Sequence, residues 1–260
     1  MIDWNELNCR SMLENYYAAL LKREEQKHIN HEKKAKTAEE LEDLKEKIEK
    51  KQIHSLRVLA FCRDIAAVLT ESNPKPGLNE TMLYAAALLH DIAKFDSNKY
   101  HHRLAASAIK TVCGPYGPED SAGFFALDEI ITAHKTRRFA PCPEYAAEAA
   151  ILRMADKLDE IYRKTQKVQE AEAGVIQAEQ KFEKAAHNEK PKKAAKKLQD
   201  KEEKLIKREA SLEKAKVDFI QNREIIHTFF ESEHHGGCDS TFYKALCKAL
   251  ALRCDSLLNF

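Results

Sequence analysis

The stretch TMLYAAALLHDIAKF (81–95) decides the fold. From Met82 to Leu89 it is apolar nearly all round, the pattern of a helix enclosed at the centre of a domain rather than laid on its surface. The run ends on His90 and Asp91. Burying an imidazole and a carboxylate costs several kcal/mol unless something pairs them. A divalent cation would supply that pairing, because adjacent helical residues diverge by ~100° and can converge on one ion at a helix end. A hydrogen-bonded core pair is the plain alternative.

Outward from this run, helical patterns continue on both sides. Residues 3 to 30 predict a first helix with Trp4, Leu7, Met12, Leu13, Tyr16, Tyr17, Leu20 and Leu21 on its apolar side. Leu41, Leu44 and Ile48 lead into a helix over 53–69, where His54 shares a face with Val58, Phe61 and Ile65 and so points inward. SNPKPGLN (72–79) and GPYGPED (114–120) read as loops, with a helix over 101–113 between them and another over 124–134. His134 follows Leu127, Ile130 and Ile131 at helical spacing and also points inward. A further helix opens near Glu144, and Asp156 sits at the edge of its face made by Leu152 and Ala155. Each residue taken singly is as well explained as a satisfied core histidine or a surface aspartate. Together with the His–Asp pair they converge on one compact region. Nitrogen and oxygen donors without thiolate suit Mn, Fe, Co, Ni, Mg or Zn.

Composition agrees with an all-α protein. Gly and Pro number 7 each, and 33% of residues are charged, above the roughly 25% of an average soluble domain. The formal charge of +1 gives no global basic field toward nucleic acid. Seven scattered cysteines without a C-x-x-C pair read as free thiols of a reducing compartment. The start MIDWNELNCR lacks the basic and apolar regions of a secretory leader, and no run approaches the ~20 apolar residues of a membrane span. A soluble cytoplasmic protein, with no membrane contact, is expected.

After Tyr162 the pattern changes. Ile161, Val168, Val175 and Phe182 recur every seven residues, with Ala171, Ala178 and Ala185 between or after them. Beyond a break at HNEKP (187–191), Leu198, Leu205, Leu212, Phe219 and Ile226 repeat the interval. Two heptad runs about one short turn predict an antiparallel coiled-coil hairpin, whose alternative is a long solvated helix or a linker. The basic run KPKKAAKK (190–197) lies at its tip, diluted by flanking acidic residues, which argues against nucleic acid as its partner. A short loop holding His234, His235, Gly236 and Gly237 then precedes a helix with Phe242, Leu246, Leu250 and Leu257. The expected organisation is 1–52 as helices packing on the core, 53–163 as the core with the metal site, 164–226 as the inserted hairpin, and 227–260 returning to the core.

The stretches HSLRVLAFC (54–62), ALLHDIAKF (87–95), HHRLAASAI (101–109), ITAHKTRR (131–138) and ILRMADKLDEIY (151–162) resemble the motifs of the HD superfamily of metal-dependent phosphohydrolases. The order His, His-Asp, Asp matches, over about residues 53–163. The resemblance implies an all-helical core with a first ion held by His54, His90, Asp91 and Asp156. It also implies a second ion held through His101, or its neighbour His102, and His134, with Asp91 bridging the two. The expected activity is hydrolysis of a phosphate ester or anhydride, of a nucleotide or another small phosphorylated metabolite, by water that the cation acidifies. Lys94, Arg137 and Arg138 are candidates to offset phosphoryl charge, Arg by its fork, although a solvated charge cluster explains them too. Two other classes stay open: a di-iron oxygenase using the same six ligands, and an interaction protein working through the hairpin, by homodimerisation or by docking a partner.

Overall fold

A computed structural model describes residues 2–30, 36–71, 77–113, 120–136, 139–186, 191–231 and 240–258. Among these residues there are eight α-helices and no strand. They are α1 (Glu6–Ile29), α2 (Ala38–Thr70), α3 (Glu80–Leu89), α4 (His101–Cys113), α5 (Ser121–Lys135), α6 (Ala146–Ala186), α7 (Pro191–Glu231) and α8 (Ser240–Leu258). A 3-10 turn at Pro143–Tyr145 leads into α6.

Local signals start the helices. Asn5 and Asn79 accept backbone N–H bonds from Asn8 and Met82 at the heads of α1 and α3. Thr37 and Glu40 form a reciprocal capping box at the head of α2. From there α2 runs unbroken through residues 52 and 53 to Thr70.

The chain divides into two compact units, Met1–Asp156 with Ile225–Phe260, and Lys157–Glu224. In the first, α3 is the central helix, packed by α1, α2 and α5, with Leu83 and Ala85 to Leu89 fully buried. The opening of α6, from Ala146 to Ala155, is buried almost as completely. α8 packs on α2, and Phe139, Phe229, Phe230 and Phe242 form a ring cluster with centroids 5.0–6.5 Å apart. The return of the last helix to the core thus rests on aromatic packing as well as on Leu246 and Leu250.

Two expectations need correction. Leu7 is 73% exposed, and the buried stripe of α1 is Cys9, Leu13, Tyr17, Leu20 and Glu24. The expected helix over 81–95 stops at Leu89. Beyond it, Ile92, Lys94 and Asp96 donate their N–H groups to the carbonyls three residues back. Beside these tighter turns, Tyr17 Oη donates to the carbonyl of Asp91 at 3.4 Å.

In the second unit, Gly174, Gln177, Ala178 and Lys181 of α6 line one groove with Lys193, Ala194, Lys197, Asp200 and Lys201 of α7. A Cβ built on Gly174 would lie 3.7 Å from the Lys201 side chain, so the two segments are neighbours there. Val175, Phe182, Leu198, Leu205 and Leu212 are half-buried, and Val168, Ala171, Ala215 and Phe219 are buried, among mostly exposed neighbours. Among the described residues no helix is long and apolar enough to cross a membrane. Cys9, Cys62, Cys113, Cys142 and Cys247 form no disulfide. The loop with His234 to Gly237 lies outside the described residues.

Candidate metal centre

Six side chains from five segments meet inside the first unit. α2 supplies His54, the turn after α3 supplies His90 and Asp91, α4 supplies His101, α5 supplies His134 and α6 supplies Asp156. All six are buried. Their local placement follows from the helix patterns: His54 lies in the buried stripe of α2, and His134 follows that of α5.

Second contacts orient the imidazoles. His90 Nδ1 lies 2.9 Å from the carbonyl of Ala87, His101 Nδ1 lies 2.9 Å from that of Asn98, and His134 Nδ1 bonds that of Ile131. In a neutral ring each of these bonds places the proton on Nδ1 and leaves a lone pair on Nε2. Those Nε2 atoms face each other and the carboxylates. His54 Nε2 is 3.2 Å from His90 Nε2, and the His90 ring centroid is 5.1 Å from those of both His54 and His134.

The carboxylates divide the cluster. Asp91 Oδ2 is 3.5 Å from His54 Nε2 and 3.9 Å from His90 Nε2, whereas Asp91 Oδ1 is 3.0 Å from His101 Nε2. Asp156 Oδ1 is 3.4 Å from His54 Nε2 and 3.9 Å from His90 Nε2. Ligand atoms of His54, His90 and Asp156 all lie within 4.8 Å of one another, and so do those of His90, Asp91 and His134. His102 is also buried, but its neighbour His101 is the ring set against Asp91.

Three buried atoms test whether a cation fits. Asp91 Oδ1, His101 Nε2 and His134 Nε2 have no hydrogen-bond partner. An unsatisfied buried polar atom costs about 1–3 kcal/mol. A divalent cation would take up all three lone pairs, and the all-N/O donor set suits such an ion.

The electrostatics keep the donors in their ligating forms. Burial pushes the His90 imidazole down to about 4 and the His134 imidazole well below its ordinary range. Burial alone would raise both carboxyls. For Asp91 it is outweighed by the facing His90, His101 and His54 and by Lys51, and for Asp156 by Lys135 and the facing imidazoles. Both carboxyls are held well below the usual carboxylate range.

Around this cluster stand residues with different sequence signals. Lys94, expected at the site, lies 3.6 Å from Asp91 Oδ1. Arg137 and Arg138 lie outside the described residues. Lys51 Nζ reaches Asp91 Oδ2 at 2.8 Å, and Lys135 Nζ lies 3.5 Å from Asp156 Oδ2. Neither lysine was expected at the site, although Lys51 is one turn before His54 and Lys135 follows His134 in sequence. Arg153 is buried and donates through Nη1 to the carbonyls of Ala133 (3.0 Å) and Thr136 (2.9 Å), capping the end of α5 beside His134. Its only signal was an arginine inside the apolar run from Ala149 to Ala155.

Comparison with protein families gives a match to the HD domain over residues 52–161, an interval that includes all six clustered side chains. Comparison with curated proteins and with solved structures gives no match. HD domains bind divalent metals and carry metal-dependent, hydrolase-type activity, which agrees with the His/Asp groups found here. Residues 52–161 thus match the HD domain, consistent with the HD superfamily of metal-dependent phosphohydrolases.

Proposed function

We propose that the chain hydrolyses a phosphate ester or anhydride, of a nucleotide or other small phosphorylated metabolite. The reaction would take place at a centre of two divalent ions. The observation that carries this reading is Asp91, whose Oδ2 faces His54 and His90 while its Oδ1 faces His101. His54, His90, Asp156 and Asp91 Oδ2 would hold one ion; His101, His134 and Asp91 Oδ1 would hold the other. Bound ions of this kind supply a Lewis acid and lower the pKa of water toward neutrality.

The chain's own groups do the rest. The carbonyls of Ala87, Asn98 and Ile131 fix the three rings, so their Nε2 atoms need no reorganisation when ions and substrate arrive. Lys94, 17% exposed at its side chain, stands between the cluster and solvent and offsets charge on the phosphoryl oxygens. Arg137 and Arg138 belong to the same role. An ammonium group beside the ions favours an anionic substrate and so favours hydrolysis over oxidation of a neutral molecule. Residues 164–226 are, in this reading, a coiled-coil hairpin that serves a second copy of the chain or a partner protein.

The test is phosphate release from a panel of nucleotides and sugar phosphates with Mn, Mg, Co or Zn added. Stimulated release that disappears in a folded Asp91→Ala variant supports the reading. Release that ignores both metal and Asp91, or oxygen consumption with iron and no phosphate release, contradicts it.

A further inference from the structure

Away from the metal centre, the second unit holds a groove of about 540 Å³ between α6 and α7. Its floor is small, with Gly174 and Ala178 on α6 and Ala194 on α7. Lys181 of α6 and Lys193, Lys197 and Lys201 of α7 line it, against the single carboxylate of Asp200. The lining thus carries more cations than anions, by three charges. Lys201 reaches toward α6, since a Cβ built on Gly174 would lie 3.7 Å from both its Cδ and its Nζ.

Lys193, Lys197 and Lys201 stand at i, i+4 and i+8, on a single face of α7. Like charges at this spacing weaken a helix rather than support it. Elsewhere the chain does the opposite: Arg10 with Glu6, Lys47 with Asp43, Lys50 with Glu46 and Lys164 with Glu160 are opposite charges at i, i+4. Among the described residues, none of the four groove lysines forms an ion pair. From 181 to 201 the sequence holds eight lysines and three carboxylates, in a chain whose formal charge is +1. A self-repelling row of cations therefore faces a further cation across a cavity.

A cavity of this size belongs with small-ligand sites, which span about 300–1,000 Å³. Filling it and offsetting three charges calls for a compact anion of high charge density. A phosphate group brings nearly two negative charges at neutral pH and several acceptor oxygens, so two or three linked phosphates suffice. Lysine meets such groups as a point charge with three donors. Nucleic acid fits less well, because no aromatic ring or arginine lines the groove to stack a base or grip a phosphate by its fork. An acidic partner helix needs apolar anchors, and the groove offers only glycine and alanine.

We propose that this groove binds a small oligophosphate or multiply phosphorylated metabolite, held by Lys181, Lys193, Lys197 and Lys201. It shares no residue with the metal centre, so it stands independently of the hydrolysis proposed above.

The experiment is isothermal titration of the full chain, dialysed free of metal, with inorganic tripolyphosphate, citrate and a poly-glutamate peptide. Wild type is compared with two double variants, Lys193→Gln with Lys197→Gln, and Lys181→Gln with Lys201→Gln. The control, Lys207→Gln with Lys214→Gln, removes the same charge from exposed positions of α7 outside the groove. Expected are saturable tripolyphosphate binding, a loss of at least about tenfold in each groove variant, and unchanged affinity in the control. Absence of binding, groove variants that keep full affinity, or an equal loss in the control overturns the proposal. Citrate or poly-glutamate bound as tightly as tripolyphosphate overturns the assignment to phosphate.

Discussion

Replacing Gly123 by Ala should destabilise the protein, although the substitution lies inside a helix where alanine is normally preferred. A Cβ built on Gly123 would clash with Nε1 of Trp4 and lie 3.0 Å from Cε2 and 3.3 Å from Cδ1. The clash is with the body of a rigid indole that is 7% exposed and stacked edge-on against Phe124 at 5.2 Å. Helix propensity favours Ala over Gly by about 1 kcal/mol. Overpacking a well-filled site costs about 1–3 kcal/mol, and contact this short on a ring that cannot flex belongs at the upper end. The net is a loss of about 1–2 kcal/mol, or a melting temperature lower by roughly 2–8 °C for a chain of this size. Trp4 is the single tryptophan, so its emission reports directly on the displaced ring. In a Trp4→Ala background the same substitution should become stabilising by about 1 kcal/mol, since only the propensity term remains. A Gly123→Ala protein that melts higher than wild type with unchanged emission would refute the argument.

Other outcomes follow from the buried charges. Burial raises the carboxyl pKa of Glu148, whose Oε1 accepts the N–H of Asn79 at 2.6 Å while Oε2 has no hydrogen-bond partner. A raised folded-state pKa gives stability that is present below the unfolded pKa and lost as pH rises through the folded one. Glu148→Gln should therefore gain on wild type in melting temperature from pH 4 to pH 8, and a pH-independent difference would contradict this. Arg153→Met removes two charge-assisted bonds worth about 1.5–3 kcal/mol each. Relief of the burial that lowers the guanidinium pKa to about 10 offsets roughly 3 kcal/mol of that. A net loss of about 0–3 kcal/mol is expected in denaturant titration, with faster hydrogen exchange at the end of α5, and a raised midpoint or unchanged exchange there would sink it. His101→Ala should lower the number of bound ions while His102→Ala leaves it intact, as read by elemental analysis; the reverse pattern would move the ligand one residue.

The parts of the fold that were legible in the sequence are those governed by one-dimensional periodicity. The all-apolar run Met82–Leu89 announced a central helix, and the seven-residue anchors from Ile161 to Ile226 announced two long helices. The stop at Leu89 was not legible, because the 81–95 pattern stays compatible with a helix and the tighter turns depend on contacts such as Tyr17 to Asp91. Leu7 misled for a related reason: apolar identity was counted, whereas the buried face of α1 runs through Cys9 and Glu24. At the site, His90 and Asp91 were marked by the cost of burying them. His54 and His134 were marked by apolar faces, and Asp156 chiefly by its motif. Lys51, Lys135 and Arg153 escaped because a lysine or arginine in a charge-rich chain carries no signal until its partner is known. Asp91 lies 40 residues from Lys51, so only the tertiary structure joins them.

The account stands most directly on the ions themselves. Elemental analysis of the full chain equilibrated with Mn and freed of excess should find two ions per molecule, reduced to none or nearly none by Asp91→Ala, because that carboxylate faces His54 and His90 through one oxygen and His101 through the other. A wild-type chain that retains no ion, or an Asp91→Ala chain that retains as many as wild type, would contradict it.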